Sequence, residues 1–312
     1  KKSLATAAND AGDQSISFTG ICSGPIVIRT DGLNLTGVGT AIIDGGGQDA
    51  VTVAGGRGVS LANIEVRNGA NGIVGTDGAH LSLTGVNAHD NRASGIALRT
   101  ASSATLSGVA TNHNGLHGLD VQTGSAATVG GAFTASGNRV FGANVNGSAL
   151  TFSRANATLS GNALGMQVAT GANVFIADPA TVIDVTDNLA TGLTVVSGAH
   201  VVSFGGTIRA SGNRVNGVSL NSKAGLDLDA GSTLDCVGNG DGLLVQQGSE
   251  LTVFNIPQFS GVPGFSTVNC QNNAGDGIVV RNASTLRVSN QARVISTDNG
   301  ATWSARTEYT AE

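Results

Sequence analysis

Two stretches, Asn91 to Leu98 (NRASGIAL) and Asn213 to Leu220 (NRVNGVSL), follow one plan: an asparagine, a glycine four residues on, then aliphatic side chains at alternate positions. Alternation of period two is strand periodicity. Working outward from these stretches, the same asparagine recurs at Asn68, Asn114, Asn138, Asn162, Asn188, Asn239 and Asn273, and Asn299 opens a copy that breaks off. The intervals are 23, 23, 24, 24, 26, 25, 26, 34 and 26 residues, a drift that suits stacked coils with elastic corners. A second alternating pair follows about eight residues after the first, as in Leu226 and Leu228 or Leu251 and Val253, and a third short apolar site precedes the next asparagine. Three short strands per copy are implied. Stacked at about 4.8 Å, the copies align their apolar positions into ladders and close a core that no single copy buries. The expected fold is all-β: a single parallel β-helix of about 10–11 coils.

Glycine before each first strand is expected at a corner that needs either a positive φ or a close approach between coils. The asparagine column is expected to stack along the axis, each amide donating to one coil and accepting from the next.

Composition narrows the function. The 312 residues carry Gly 47, Pro 4, 12% charged residues and a net charge of -5, with no run of Lys or Arg. That excludes collagen and leaves no basic footprint for nucleic acid. No apolar run approaches the eighteen residues of a membrane span, and the first residues lack the apolar region of a signal peptide. The three cysteines have no metal spacing, and no cofactor is called for.

Asn91 to Leu98 and Asn213 to Leu220 resemble the repeats of right-handed parallel β-helix proteins of the pectin-lyase-like superfamily. The stretch Gly20 to Gly47 (GICSGPIVIRTDGLNLTGVGTAIIDGGG) is similar to the opening coil of secreted bacterial members. The resemblance covers residues 20 to about 300. It implies a right-handed coil and leaves chemistry open, because the superfamily holds lyases, hydrolases, epimerases, adhesins and phage tailspikes. The expected division is a capping arm over 1–20, the β-helix over 21–300 with an insertion loop at 255–266, and a tail or cap over 301–312.

The repeat register places candidate sites. Cys236 and Cys270 each stand three residues before an asparagine, in one column of successive coils, with Leu159 and Val185 as inward counterparts. The stacking distance of about 4.8 Å allows a disulfide, with a ladder of two thiols as the alternative. Outward positions of the first strands form an amide-rich stripe of Arg99, Asp120, Gln122, Asn144, Asn146 and Gln167, suited to the hydroxyls of a glycan; the alternative is a solvated sheet face. Asp120 stands alone there, whereas glycoside hydrolysis needs two carboxylates. The Asn-Thr-Asp and paired-Asp motifs of polygalacturonases are missing, as is the Asp-Pro-His signature of alginate epimerases. Asp227, Asp229 and Asp235 with Lys223 make one dense acidic group, interleaved with core leucines and so expected as solvated charges. At one corner, His113 falls over Asp90 with Arg92 beside it, the minimum for β-elimination from a uronic acid. Trp303 and Tyr309, in the tail, suit either a cap or assembly between molecules. The leading reading is an extracellular or cell-surface bacterial structural or binding protein whose partner is polysaccharide or itself, end to end or laterally. The alternative is a polysaccharide lyase or epimerase acting on uronic-acid polymers.

Overall fold

The computed structural model describes residues 3–10, 14–254, 265–289 and 292–300. It is an all-β parallel β-solenoid of about eleven turns, with one short helix, Leu4–Ala7, among the described residues. The chain divides into two compact units, Lys1–Asn144 and Val145–Glu312.

In the first unit a representative coil runs Ile96–Leu98, Ser103–Ser107 and Val109–Ala110. Its first strand pairs in parallel with Ile73–Thr76 on one side and His117–Gln122 on the other, Ile96 lying opposite Ile73 and Leu119. The second unit repeats the plan, as in Leu193–Val196, His200–Phe204 and Thr207–Arg209. There Leu193 lies opposite Met166 and Val218. In-register stacking makes each inward column continuous: Ile73, Ile96 and Leu119 in the first unit, and Leu193, Val218 and Leu243 in the second, are at most 1% exposed. The helix starts at Ser3, whose hydroxyl accepts from the Thr6 amide, and Asn9 behind it donates to the Val27 carbonyl.

The asparagine ladder forms in both units. Asn91 donates through its backbone and side-chain nitrogens to the Asn114 side-chain oxygen at 3.1 and 3.0 Å, and Asn114 does the same to Asn138 at 3.0 Å for both. In the second unit Asn162, Asn188, Asn213, Asn239, Asn273 and Asn299 link in the same way. Each amide thereby satisfies a corner carbonyl and the next coil's amide inside the core.

One expectation changes and one is narrowed. Asn68 is outside the ladder: the backbone amide of Gly69 meets the Asn91 side chain, while Asn68 adopts φ 55° and donates to Asp44 at 2.7 Å. Asn68 belongs to the neighbouring column of left-handed residues that includes Asp90, His113 and Gly137 in the first unit; Asp187 and Gly212 hold the same place before the ladder asparagine in the second. The left-handed turn therefore falls one residue before the ladder asparagine. The corner glycines also owe their identity to close approach and not to φ. A Cβ on Gly95 would stand 2.8 Å from the Asn114 amide and 2.9 Å from the Gly118 carbonyl oxygen, with no positive φ at that position.

Of the insertion, residues 255–264 lie outside the described residues, and Ser266 is already the first residue of the strand Ser266–Gln271.

Candidate functional site

The outward stripe is recessed at Asp120 and Asn144 only, with Gln122 half-buried and Arg99 exposed beside them. On the first strands of the first unit, Ala97 is fully buried, Asp120 is 3% exposed and Asn144 5%. Gln122, two residues along the same strand, folds back so that its side-chain nitrogen donates to both Asp120 oxygens, at 2.8 and 2.9 Å. Asn144, one coil on, donates to Asp120 at 2.8 Å. The carboxylate is thus held under two amides and not left on a solvated face, which is how an isolated acid tolerates burial. Arg99 stays exposed at the outer edge of the same face.

At the inner edge His117 stacks on Phe141, ring centroids 5.0 Å apart and nearly parallel at 20°. Burial pushes the His117 imidazole below its ordinary range, opposed by the nearby Asp120 charge. Its Nδ1 and the Asn144 side-chain oxygen are both buried without a hydrogen-bond partner. Two orphaned polar atoms beside one carboxylate mark a place where a hydroxyl-bearing molecule gains bonds that the protein alone leaves unmade. Sequence periodicity places Asp120 and Asn144 on this face. His117 and Phe141 were missed as lining because they precede the strand's alternating positions.

Asn146 and Gln167 belong to the second unit. Both are half-buried, and Gln167 lies opposite Thr194, whose buried hydroxyl has no partner.

The corner set parts company. Asp90 accepts from His89 Nδ1 at 2.7 Å, and His89 Nε2 lies 3.3 Å from Glu65. The His113 ring leans over Gly137, where an added Cβ would meet its Cδ2 at 2.9 Å, and the Arg92 guanidinium lies over Gly47. His113, Asp90 and Arg92 therefore face three different neighbours: Asp90 turns to the adjacent His89, while His113 and Arg92 each occupy the space that a glycine of another coil leaves open. Glu65, Arg67 and His89, on outward strand positions, were not singled out together and form the ion cluster that the corner does contain, with Arg67 3.0 Å from Glu65.

Cys236 and Cys270 are direct partners in parallel strands, both fully buried, and both are free thiols. Burial pushes the Cys236 thiol well above its usual range, with Cys270 adding to the effect. Of the acidic group, Asp227 accepts from His200, whereas Asp229 is only 4% exposed, so that residue is buried and not a solvated charge. Trp303 and Tyr309 lie outside the described residues. Among the described residues no cluster of three His, Cys, Asp or Glu side chains suits a metal ion, and no helix is long and apolar enough to cross a membrane.

Comparison with known proteins bears on the fold. No curated protein sequence matches the chain. Solved structures similar to it include the A-module of mannuronan C-5 epimerase AlgE4 from Azotobacter vinelandii, at 16% identity and a TM-score of 0.61, covering 95% of this chain and 92% of that one. The AlgE6 A-module from the same organism shows 14% identity and a TM-score of 0.54 over the same shares. PfbA, a surface adhesin of Streptococcus pneumoniae, gives 10% identity and a TM-score of 0.26 over 85% of this chain and 87% of that one. At such identities the likeness to the two A-modules is one of fold. The family described as the right handed beta helix region matches residues 26–184, just over half of the chain. With the stacked parallel coils and their asparagine ladder, this match establishes that the chain belongs to the right-handed β-helix family.

Proposed function

We propose that this protein is an extracellular or cell-surface β-helix that binds polysaccharide at the Asp120 recess. The observation that carries the reading is the Asn144 side-chain oxygen, buried without a donor beside an amide-held carboxylate on an outward face. An unpartnered buried acceptor costs about 1–3 kcal/mol, which a sugar hydroxyl offsets on binding. Arg99 at the rim adds a planar donor for a hydroxyl or a uronate carboxylate. The test is native electrophoresis of the full chain in gels containing alginate or polygalacturonate. Asn144→Ala removes the unpartnered oxygen that carries the reading, and affinity is expected to fall at least about tenfold, or 1.4 kcal/mol. Equal retardation of wild type and variant would remove the recess as the binding site.

The second reading is a lyase or epimerase acting on uronic-acid polymers. It has one observation in its favour: His117, kept neutral by burial beside Asp120, is in the state that accepts a proton. Release of unsaturated uronate, or a change of C5 configuration seen by proton NMR, that disappears in His117→Gln would establish it; the same assays on His113→Ala check the corner. A flat response in both supports a binding protein.

Export has its own consequence. In an oxidising compartment Cys236 and Cys270 are expected to lose two hydrogens to an external disulfide and become bridged, stapling the coils on either side of the insertion. The raised thiol means few thiolates in the folded state, so oxidised glutathione added to folded, reduced protein is expected to act slowly. A peptide map without reduction should show the Cys236 to Cys270 bridge in protein secreted to the periplasm. Full alkylation of both cysteines after unfolding such material would discard the bridge.

A further inference from the structure

We infer that the second unit carries a separate carbohydrate platform, on the sheet face made by Asn173–Ile176, His200–Phe204, Gly225–Asp229 and Glu250–Val253, which takes a neutral glycan by stacking sugar rings on Phe175 and Phe204. The inference goes beyond the Asp120 recess and does not depend on it.

Inward and outward positions alternate along these strands. Val174, Ile176, Val201, Ser203, Leu226 and Leu228 face the core, at most 1% exposed, while Phe175, Val202, Phe204 and Asp227 face outward. The register sets Phe175 opposite Val202, Val202 opposite Asp227, and Phe204 opposite Asp229. Phe175 and Phe204 remain 39% and 36% exposed, and their rings touch in a tilted pair with centroids 5.2 Å apart. In a chain with only nine phenylalanines, two on adjacent coils of one outward face form a contiguous aromatic surface.

Polar groups of both kinds lie on the same sheet face, His200 and Asp227 on the strand of Phe204 and the strand next to it, and Glu250 and Arg287 on the following coils. His200 Nε2 bonds Asp227 at 3.0 Å, and Arg287 bonds Glu250 at 2.8 Å. Gly225 lies under the His200 ring, where an added Cβ would meet the imidazole at 3.1 Å, so the glycine leaves room for the histidine to lie across the sheet. The Asp227 hydrogen bond holds that imidazole above its ordinary range against the opposing effect of burial.

This chemistry selects one occupant. A pyranose offers an apolar C–H face for the rings and a rim of hydroxyls that donate and accept at once, which matches the hydrogen-bonded His200 and Asp227 on the strand of Phe204 and the next one. His200 and Arg287 are each already paired with a carboxylate on this face, so neither is free to draw a polyanion, hence a neutral glycan. Two partly exposed rings fall far short of the roughly 800 Å² per partner that a stable protein interface buries, so a second copy or another protein is a poor match. Coils spaced at about 4.8 Å repeat the polar edge along the stack, as a linear glycan repeats its hydroxyls.

The test is native electrophoresis of the full chain in gels containing hydroxyethylcellulose, laminarin or galactomannan. The wild type is expected to be retarded by at least one of them. Phe175→Ala with Phe204→Ala should raise the dissociation constant at least about tenfold, with Asp227→Asn shifting it in the same direction. Asn144→Ala should leave this retardation unchanged, which separates the platform from the recess. Circular dichroism verifies folding, and Phe204→Ala alone serves if the double variant misfolds. Three results each overturn the inference: no retardation of the wild type by any of the three polysaccharides, equal retardation of the aromatic variants, or a dimer in sedimentation that those variants dissolve.

Discussion

Asn188→Ala is expected to destabilise the second unit by about 3–5 kcal/mol, although the residue touches no ligand-facing surface. Asn188 is fully buried. Its side-chain oxygen accepts from the Asn162 backbone N–H at 3.0 Å and from the Asn162 side chain at 3.2 Å. Its side-chain nitrogen donates to the Leu159 carbonyl at 3.1 Å and to the Asn213 oxygen at 3.0 Å. Alanine removes all four contacts where no water reaches, so at least two buried groups lose a partner at about 1–3 kcal/mol each. The exposed Asn173, whose side chain makes a marginal 3.4 Å bond to Gly171, provides the control, with Asn173→Ala expected within about 0.5 kcal/mol of wild type. Urea unfolding gives the totals. Hydrogen exchange over residues 159–192 localises the loss, which matters because a stacked array need not unfold as one unit. A change below about 1 kcal/mol for Asn188→Ala would mean that the ladder serves alignment alone.

Gly165→Ala is the second large effect, about 3 kcal/mol, and its mechanism is overpacking. The new Cβ would sit 2.5 Å from the Gly192 carbonyl oxygen, 2.8 Å from the Asn188 side-chain nitrogen and 3.2 Å from Val185 Cβ. Backbone oxygen cannot rotate away, so the two coils must separate and the ladder amide must move with them. Gly171→Ala separates sterics from backbone conformation: at φ 67° with nothing within 4 Å of its Cβ, it should cost only about 1 kcal/mol, the strain of a left-handed alanine. Thermal unfolding of both variants distinguishes the two costs, and equal shifts would count against close approach as the reason for the corner glycines. Combined with Asn188→Ala, Gly165→Ala should cost less than the sum, since one of its clash partners has gone while the Gly192 carbonyl remains.

Both effects rest on features whose existence is legible in the sequence and whose register is legible wherever successive coils keep one plan. Period two in Ile96 and Leu98 or Val218 and Leu220 dictates strands, because alternate side chains must reach one face. The recurrence of asparagine dictates stacking, because a buried amide column is satisfied only by its own repeats. Cys236 and Cys270 fall in register for the same reason, their distance being fixed by counting from Asn239 and Asn273. Counting fails where a coil is one residue short, and so Asn68 drops into the left-handed column beside the ladder.

The candidate sites show the same boundary. Sequence alone determined a parallel β-helix, its inward columns, and the outward placement of Asp120 and Asn144, since these follow from periodicity, a local property of the chain. Only the tertiary structure decided that Asp120 is recessed under Gln122 and Asn144, that Asp90 pairs with His89 while His113 turns to Gly137, and that Phe175 meets Phe204. Those outcomes depend on rotamers and on contacts between residues a full coil apart. Such contacts are set by the space each neighbouring coil leaves, and repeat spacing along the chain does not encode that space.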